Sequence, residues 1–314
     1  MFWVEELEND SLDYTPGYHV PVMMKEVLEY LKPEPGNVFV DCTVGLGGHS
    51  RAIADILGEK GVLVGIDQDQ QSLEKAAEKL KDSACKIELV HDNFRHIDSV
   101  LGSRGISEVD GILMDVGVSS MQLETPGRGF TLREDGPLDM RMNQEAIISA
   151  SDLINSLSEE EIEHILREYG EERFSRRIAR IIVQERVRSP FMTTQDLVRA
   201  VNKAMPRNRV RQRIHPATRT FQAFRIAVNR ELESLDIALD KAVGLLKPAG
   251  RIGVIAFHSL EDRIVKNKFR RFAAEGNFEI ITRKPLRPSE EETADNYRSR
   301  SARLRIGEKK NAAE

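Results

Sequence analysis

Val38-Phe39-Val40-Asp41-Cys42-Thr43-Val44-Gly45-Leu46-Gly47-Gly48-His49 is an apolar run that ends in an acid and breaks into a glycine-rich turn. An apolar, β-branched and aromatic stretch followed by such a turn reads as a strand feeding a helix. Glycines without a Cβ let the backbone approach a ligand closely, and the turn aims unpaired N–H groups and the positive helix end at it. Twenty positions past Gly47, the short run Gly61-Val62-Leu63-Val64-Gly65-Ile66 ends at Asp67. That spacing fits one βαβ unit with a carboxylate at the second strand tip, where it accepts ribose hydroxyls. A glycine turn alone serves equally well as a plain connection; the pair points to a nucleotide-cofactor site.

A dinucleotide site is written G-x-G-x-x-G and keeps acids away from the pyrophosphate. Here Asp41 precedes the glycines. An acid at that strand end suits a cationic ligand, and the amino group and sulfonium of S-adenosylmethionine bring positive charge where NAD brings phosphates. A methyl donor is favoured over a hydride carrier.

Outward from this unit the chain alternates. A helical stretch at 20–31 precedes the first strand, a helix near 72–80 follows Asp67, and Ile87-Glu88-Leu89-Val90 and Gly111-Ile112-Leu113-Met114-Asp115 read as two more strands. This alternation predicts an α/β fold with a parallel sheet. Asp41, Asp67 and Asp115 all end strands, and ligands of open α/β sheets sit beyond those ends, so the three acids are expected to converge on one crevice. After Asp115 helical patterning takes over. Ser158-Glu159-Glu160-Glu161 reads as a capping box before Ile162, Ile165, Leu166 and Tyr169. A second helix follows through Phe174, Ile178 and Ile182, and Thr193 or Thr194 caps a third. The sheet resumes at 250–257. The expected organisation is a discontinuous α/β domain, 1–136 and 217–314, with a helical insertion at 137–216 expected to bind RNA.

The chain has 314 residues, 40% of them hydrophobic, ample for a substantial core. No stretch approaches the roughly 20 apolar residues that span a bilayer, and the acidic N-terminus lacks a secretory pattern. A cytosolic protein with no membrane partner is expected. Cys42 and Cys85 lack C-x-x-C spacing, and His91, His96 and His164 lack metal-ligand spacing, so neither a disulfide nor a metal is indicated. Between Leu197 and Arg230 stand Arg199, Lys203, Arg207, Arg209, Arg211, Arg213, Arg219, Arg225 and Arg230 with no acid among them. Nine positive charges in a chain of net charge −5 leave −14 for the remainder. That concentration predicts a phosphate-backbone footprint, with Arg207, Arg209, Arg211, Arg213 and Arg219 as RNA contacts; pairing with flanking acids is the plainer alternative. Arg283, Lys284, Arg287, Arg298, Arg300, Arg303 and Arg305 form a second basic segment.

Five motifs, in order, resemble those of the S-adenosylmethionine-dependent methyltransferase H family, which modifies N4 of a cytosine in bacterial small-subunit ribosomal RNA. They are His19-Val20-Pro21-Val22, the turn through Gly47-Gly48-His49, Met114-Asp115-Val116-Gly117-Val118-Ser119-Ser120, Asp135-Gly136-Pro137-Leu138-Asp139-Met140-Arg141-Met142, and Phe257-His258-Ser259-Leu260-Glu261-Asp262-Arg263. Asn296-Tyr297-Arg298-Ser299-Arg300-Ser301-Ala302-Arg303-Leu304-Arg305 also looks like the family, and the resemblance spans nearly the whole chain. It implies a Rossmann-like class I methyltransferase sheet, with Gly47, Gly48 and His49 touching the donor, Asp67 its ribose, Phe94 its adenine, and Asp115 and Gln122 completing the pocket. The implied substrate is 16S ribosomal RNA, expected within the small ribosomal subunit. Another RNA, or a non-catalytic assembly role, is the alternative. Monomer and homodimer stay open.

Cytosine N4 is a poor nucleophile, since its lone pair is delocalised into the ring. Asp115 is the candidate to accept or orient its hydrogens, with the rest of the acceleration from alignment of the two reactants. Related amino-methylating enzymes place two prolines and an aromatic after such an acid; Asp115 is followed by Val116 and Gly117 instead. His258 is a second catalytic candidate, oriented by Ser259 or Asp262, with Ser259 equally readable as a helix cap. His19 is expected to fix the N-terminal segment.

Overall fold

The computed structural model describes residues 21–206 and 215–311. Its centre is a seven-stranded sheet in the order β3-β2-β1-β4-β5-β7-β6. The strands are β1 (Val38–Asp41), β2 (Val62–Asp67), β3 (Lys86–His91), β4 (Val109–Asp115), β5 (Leu246–Ala256), β6 (Phe278–Ile280) and β7 (Arg303–Lys309). The first five run parallel, and β7 lies antiparallel between β5 and β6. Both sheet faces are covered, which is why β1, β2 and β4 read as continuous apolar runs. On one face Val40, Val64, Ile112 and Val254 meet helical residues such as Leu235, Leu239, Phe269 and Phe272. On the other, Phe39, Leu63, Leu113 and Ile255 meet Val27, Leu31, Ile53 and Leu57.

The sheet helices are α1 (Met24–Leu31), α2 (Gly48–Leu57), α3 (Gln70–Leu80) and α4 (Ile97–Gly102), with the short α5 (Ser120–Glu124) after β4. The helical region holds α6 (Ala150–Ser156), α7 (Glu159–Glu168), α8 (Ser175–Arg186), α9 (Thr194–Ala204) and α10 (Thr218–Asn229). Then come α11 (Glu231–Leu245), α12 (Ser259–Ala274) and α13 (Glu290–Asp295). Ser158 caps α7 and Thr193 caps α9, each in a reciprocal box with Glu161 and Asp196.

The helical region has its own core, including Ile154, Ile162, Leu166, Ile178, Ile182, Leu197 and Val201. That core reaches beyond 137–216 at both ends. It takes Phe130 and, from α10, Phe221 and Phe224. The reason is that α10 packs on α6 and α7, and the chain turns into α11 only at Arg230, which has a left-handed φ of 49°. Asn229 of α10 closes this unit on itself, and Glu171 ties it to α12 of the sheet domain. Asn229 receives the Met142 N–H at 2.7 Å and donates to the Met140 carbonyl. Glu171 accepts from Ser259 Oγ at 2.7 Å and pairs with Arg263. No helix among the described residues is long and apolar enough to cross a membrane.

Candidate active site

The glycine turn lies between two strand-end carboxylates. Gly45 and Gly47 have φ of +51° and +74°, values that side chains resist, so the turn can close only with glycine there. Gly45 donates its N–H to Asp67 Oδ2 at 2.7 Å, and Asp69 donates to Oδ1 at 2.9 Å. On the other side, Thr43 Oγ1 accepts the Asp115 N–H at 2.6 Å. Asp67 and Asp115 therefore flank the turn by direct hydrogen bonding.

Asp41 behaves differently from the other two. It is buried, with Oδ1 accepting from Thr43 N–H at 3.0 Å and Oδ2 from Ser50 Oγ at 2.6 Å. Its carboxylate holds the turn instead of lining the crevice, which corrects the expected convergence of three acids to two. Its charge still reaches the site, because it adds to the burial that raises both neighbours. Burial pushes Asp67 up to about 6, against hydrogen bonds from Asp69 and Gly45 that pull it down. Burial, then the charges of Asp41 and Glu261, push Asp115 up to about 8. Asp115 Oδ1 is buried with no hydrogen-bond partner.

His49 sits at the start of α2 with Nε2 2.9 Å from the Val22 carbonyl. A carbonyl only accepts, so Nε2 carries the proton and Nδ1 presents its lone pair, 3.7 Å from Asp115 Oδ2. Burial lowers His49 to about 4, so the ring is neutral and that approach is not an ion pair. Phe94 opens the 3₁₀ turn Phe94–His96 after β3, half-buried against the sheet core. The register pairs Asp67 with His91, so Phe94 follows three residues after the position beside Asp67. Gln122 is buried; its amide donates to Asp69 Oδ2 at 2.8 Å and accepts from Ser119 N–H at 3.0 Å. Its side chain thereby links the start of α5 to Asp69.

Sequence reading missed Asp69 and Arg128. Asp69 caps α3 and accepts from Arg128 Nη1 at 2.8 Å, both side chains being almost wholly buried. Arg128 Nη2 also donates to the Arg141 and Met142 carbonyls. One guanidinium thus joins the loop after β2 to the start of the helical unit, across 59 residues of sequence.

His258 is the N-cap of α12, and Ser259 begins that helix. Its Nδ1 accepts from Glu261 N–H at 3.4 Å, and Nε2 lies 3.0 Å from Glu261 Oε1 without hydrogen-bond geometry. Glu261 is the acid beside it. Neither expected partner serves: Asp262 pairs with Arg303 and Arg305, and Ser259 donates to Glu171. Glu231, His258 and Glu261 bring ligand atoms within 4.8 Å of one another. Arg225 already holds both oxygens of Glu231 at 2.9 Å, so a guanidinium balances this group of acids.

The arginine stretch divides. Arg199 pairs with Asp196, Lys203 with Glu185, Arg225 with Glu231 and Arg230 with Glu233. Acids just outside the run, or from α8, neutralise four of its nine charges. Arg219 is exposed and donates to the Glu171 carbonyl. Arg207, Arg209, Arg211 and Arg213 lie outside the described residues, as does His19.

Sheet order, glycine turn and flanking carboxylates together define a methyltransferase of class I, whose methyl donor is S-adenosylmethionine. The chain belongs to the MraW methylase family, whose profile matches residues 17–310. The ribosomal RNA small subunit methyltransferase H of Thermotoga neapolitana is 54% identical over 295 residues, spanning 93% of this chain and 96% of that protein. The protein of the same name from Fusobacterium nucleatum is 46% identical over 321 positions, spanning 98% and 99%. A solved rRNA methylase from Streptococcus thermophilus superposes with a TM-score of 0.40 at 12% identity, spanning 92% of this chain and 94% of that one.

The residues present fit the donor. Asp67 uses one lone pair of each oxygen on backbone N–H groups, which leaves acceptor capacity for two ribose hydroxyls. Asp115 Oδ1 is an orphaned buried acceptor beside the turn, where a cation or N–H donor would satisfy it.

Proposed function

We propose that this protein transfers a methyl group from S-adenosylmethionine to N4 of a cytosine in 16S ribosomal RNA of the small ribosomal subunit, in the cytoplasm. The names of its relatives support the RNA, and the sequence resemblance supports the atom. The single observation that carries the chemistry is Asp115 Oδ1, buried and unpartnered at the end of β4.

The bound donor supplies an electrophilic methyl on a cationic sulfur. Asp67 and the turn would hold the nucleoside end of the donor, and Phe94 would cover the adenine. Asp115 takes the exocyclic amine by accepting an N4–H on Oδ1, which turns the nitrogen lone pair toward the methyl carbon. Methyl transfer would leave the donor as a neutral sulfide and N4 with one proton too many, and removing that proton is the task left to the protein. Asp115 in its ionised form can then receive that proton; burial raises its pKa to about 8, which makes the carboxylate a stronger base than an ordinary one, while its ionised fraction grows with pH. Neutral His49 leaves that role to Asp115. Alignment supplies the rest of the acceleration. Reaching N4 requires the cytosine to leave its stack, and the helical unit with Arg207, Arg209, Arg211, Arg213 and Arg219 would grip the surrounding RNA.

The test is nucleoside mass spectrometry after incubating protein and donor with small subunits from a strain lacking the modification, with naked ribosomal RNA in parallel. N4-methylcytidine on either substrate is the expected result. Donor binding without any methylated nucleoside would redirect the reading to another RNA, and absence of donor binding would leave an assembly factor.

A further inference from the structure

The segment just before β7 projects an aromatic ring and a guanidinium from one exposed face at the catalytic edge of the sheet. Tyr297–Ser301 is a 3₁₀ helix. With three residues per turn, side chains at i and i+3 eclipse, so Tyr297 and Arg300 share a face. Tyr297 is 68% exposed and Arg300 is exposed, whereas Ser299 between them is buried and anchors the turn. Arg298 is held aside by a 2.7 Å ion pair with Glu124 of α5, which fixes the orientation of the element.

Register sets the distance to the chemistry. β5 pairs Ile255 with Asp115 of β4 on one side, and Ala256 with Arg303, the first residue of β7, on the other. Because β7 runs antiparallel, its beginning lies at the edge where β2 and β4 end in Asp67 and Asp115. Two strand spacings separate β4 from β7, about 10 Å, and Tyr297–Ser301 ends two residues earlier. The bridge between Leu286 and Leu304 brings Arg287 to the same end of β7. Among the described residues, Arg283, Lys284, Arg287 and Arg300 are exposed and have no ion-pair partner, unlike four charges of the long arginine stretch.

We infer that Tyr297 and Arg300 form a stacking platform for an unpaired RNA base next to the target nucleotide, with Arg283, Lys284 and Arg287 following the adjoining phosphates. This rests on the methyltransferase reading above. An exposed tyrosine eclipsed by an arginine matches how proteins hold single-stranded RNA, with bases on π faces and guanidinium groups near the backbone. The platform stands across β5 from Asp115, so flanking RNA would be held by the sheet domain as well as by the helical unit.

Tyr297→Ala, Tyr297→Trp and Arg300→Ala are compared by fluorescence anisotropy with a labelled single-stranded oligonucleotide of the substrate sequence, and by binding to assembled small subunits. Tyr297→Ala is expected to weaken both by roughly 5- to 100-fold, with Trp restoring affinity. Arg300→Ala should reduce the slope of log affinity against log salt by about 0.7. Donor affinity by calorimetry should stay unchanged in all three. Equal RNA affinity of Tyr297→Ala and the parent overturns the platform. So does a loss confined to assembled subunits, which would place a ribosomal protein on this face. Methyl transfer separates the two readings: a parent protein that methylates subunits while Tyr297→Ala binds normally overturns the platform alone. A Tyr297-dependent RNA affinity without any transfer overturns the function and supports the platform.

Discussion

Replacing Arg128 by methionine tests the joint between the loop after β2 and the helical unit. The substitution keeps much of the side-chain volume and removes the charge. Asp69 then keeps only Gln122 Nε2 and the Gln71 N–H as donors, and the Arg141 and Met142 carbonyls each lose one. Breaking a buried pair by removing one partner costs about 3–5 kcal/mol, because the remaining charge is left uncompensated. With side chains 3% and 2% exposed, water can do little to soften that cost here. A domain is stable by about 5–15 kcal/mol, so the variant should fold but unfold at clearly lower urea. Circular dichroism of urea unfolding for Arg128→Met, Asp69→Asn and the double variant gives the coupling. We expect about 3 kcal/mol lost in Arg128→Met and a partial return in the double variant, where no bare carboxylate remains. A loss under about 1 kcal/mol, or strict additivity, would refute the claim that this pair joins the two units.

Further outcomes follow from the same geometry. Asp67→Ala should weaken donor binding about 10- to 100-fold, from lost hydrogen bonds to a charged acceptor, with RNA affinity unchanged; unaltered donor affinity by calorimetry would remove Asp67 from the ribose. Donor affinity should rise with pH between about 6 and 8, by up to tenfold per unit below the Asp115 pKa, since a cationic ligand needs the carboxylate that burial disfavours. Stability of the donor-free protein moves the other way: a raised carboxyl contributes most below its unfolded value near 4 and loses that contribution as pH passes 6 to 8. Asp115→Asn should flatten the binding profile, and a parent profile already flat contradicts the assignment. In Gly65→Ala the new Cβ would meet Val44 at 2.6 Å and Leu89 at 2.8 Å, so about 1–3 kcal/mol should be lost, read as a lower melting temperature.

Strands β1, β2 and β4 could be read from the chain because each is a largely buried apolar run with an acid at its end, half-buried edge strand β3 from Ile87, Leu89 and Val90, and the capping boxes of α7 and α9 are local patterns. The later elements gave less. β7 alternates Arg303, Arg305 with Leu304, Ile306, a period-2 signal that the arginines disguised as a nucleic-acid segment. β6 is three residues long, too short for any pattern. At the site, Asp67 and Asp115 follow from strand ends, but Asp69 and Arg128 meet only through tertiary folding and leave no local trace. His258 was harder still. Histidine rarely caps helices, so the neighbouring serine took that reading. Asp41 shows the opposite limit: its position was visible, while its engagement by Ser50 depends on how tightly the turn closes.

The helical unit enters the chain between β4 and β5, so 130 residues, 116–245, separate two strands that lie side by side. On a ribosome, synthesis proceeds from the N-terminus and compact units fold as they emerge. The helical unit has its own core and mainly local contacts, so it can consolidate while the sheet has only its first four strands. Closing a loop of that length adds little entropy beyond a shorter one, yet it must wait for the chain. Asp67, Phe94, Asp115 and Gln122 are already made by then, and the wall containing β5, Glu261 and β7 closes on them only near the end of the protein's own translation.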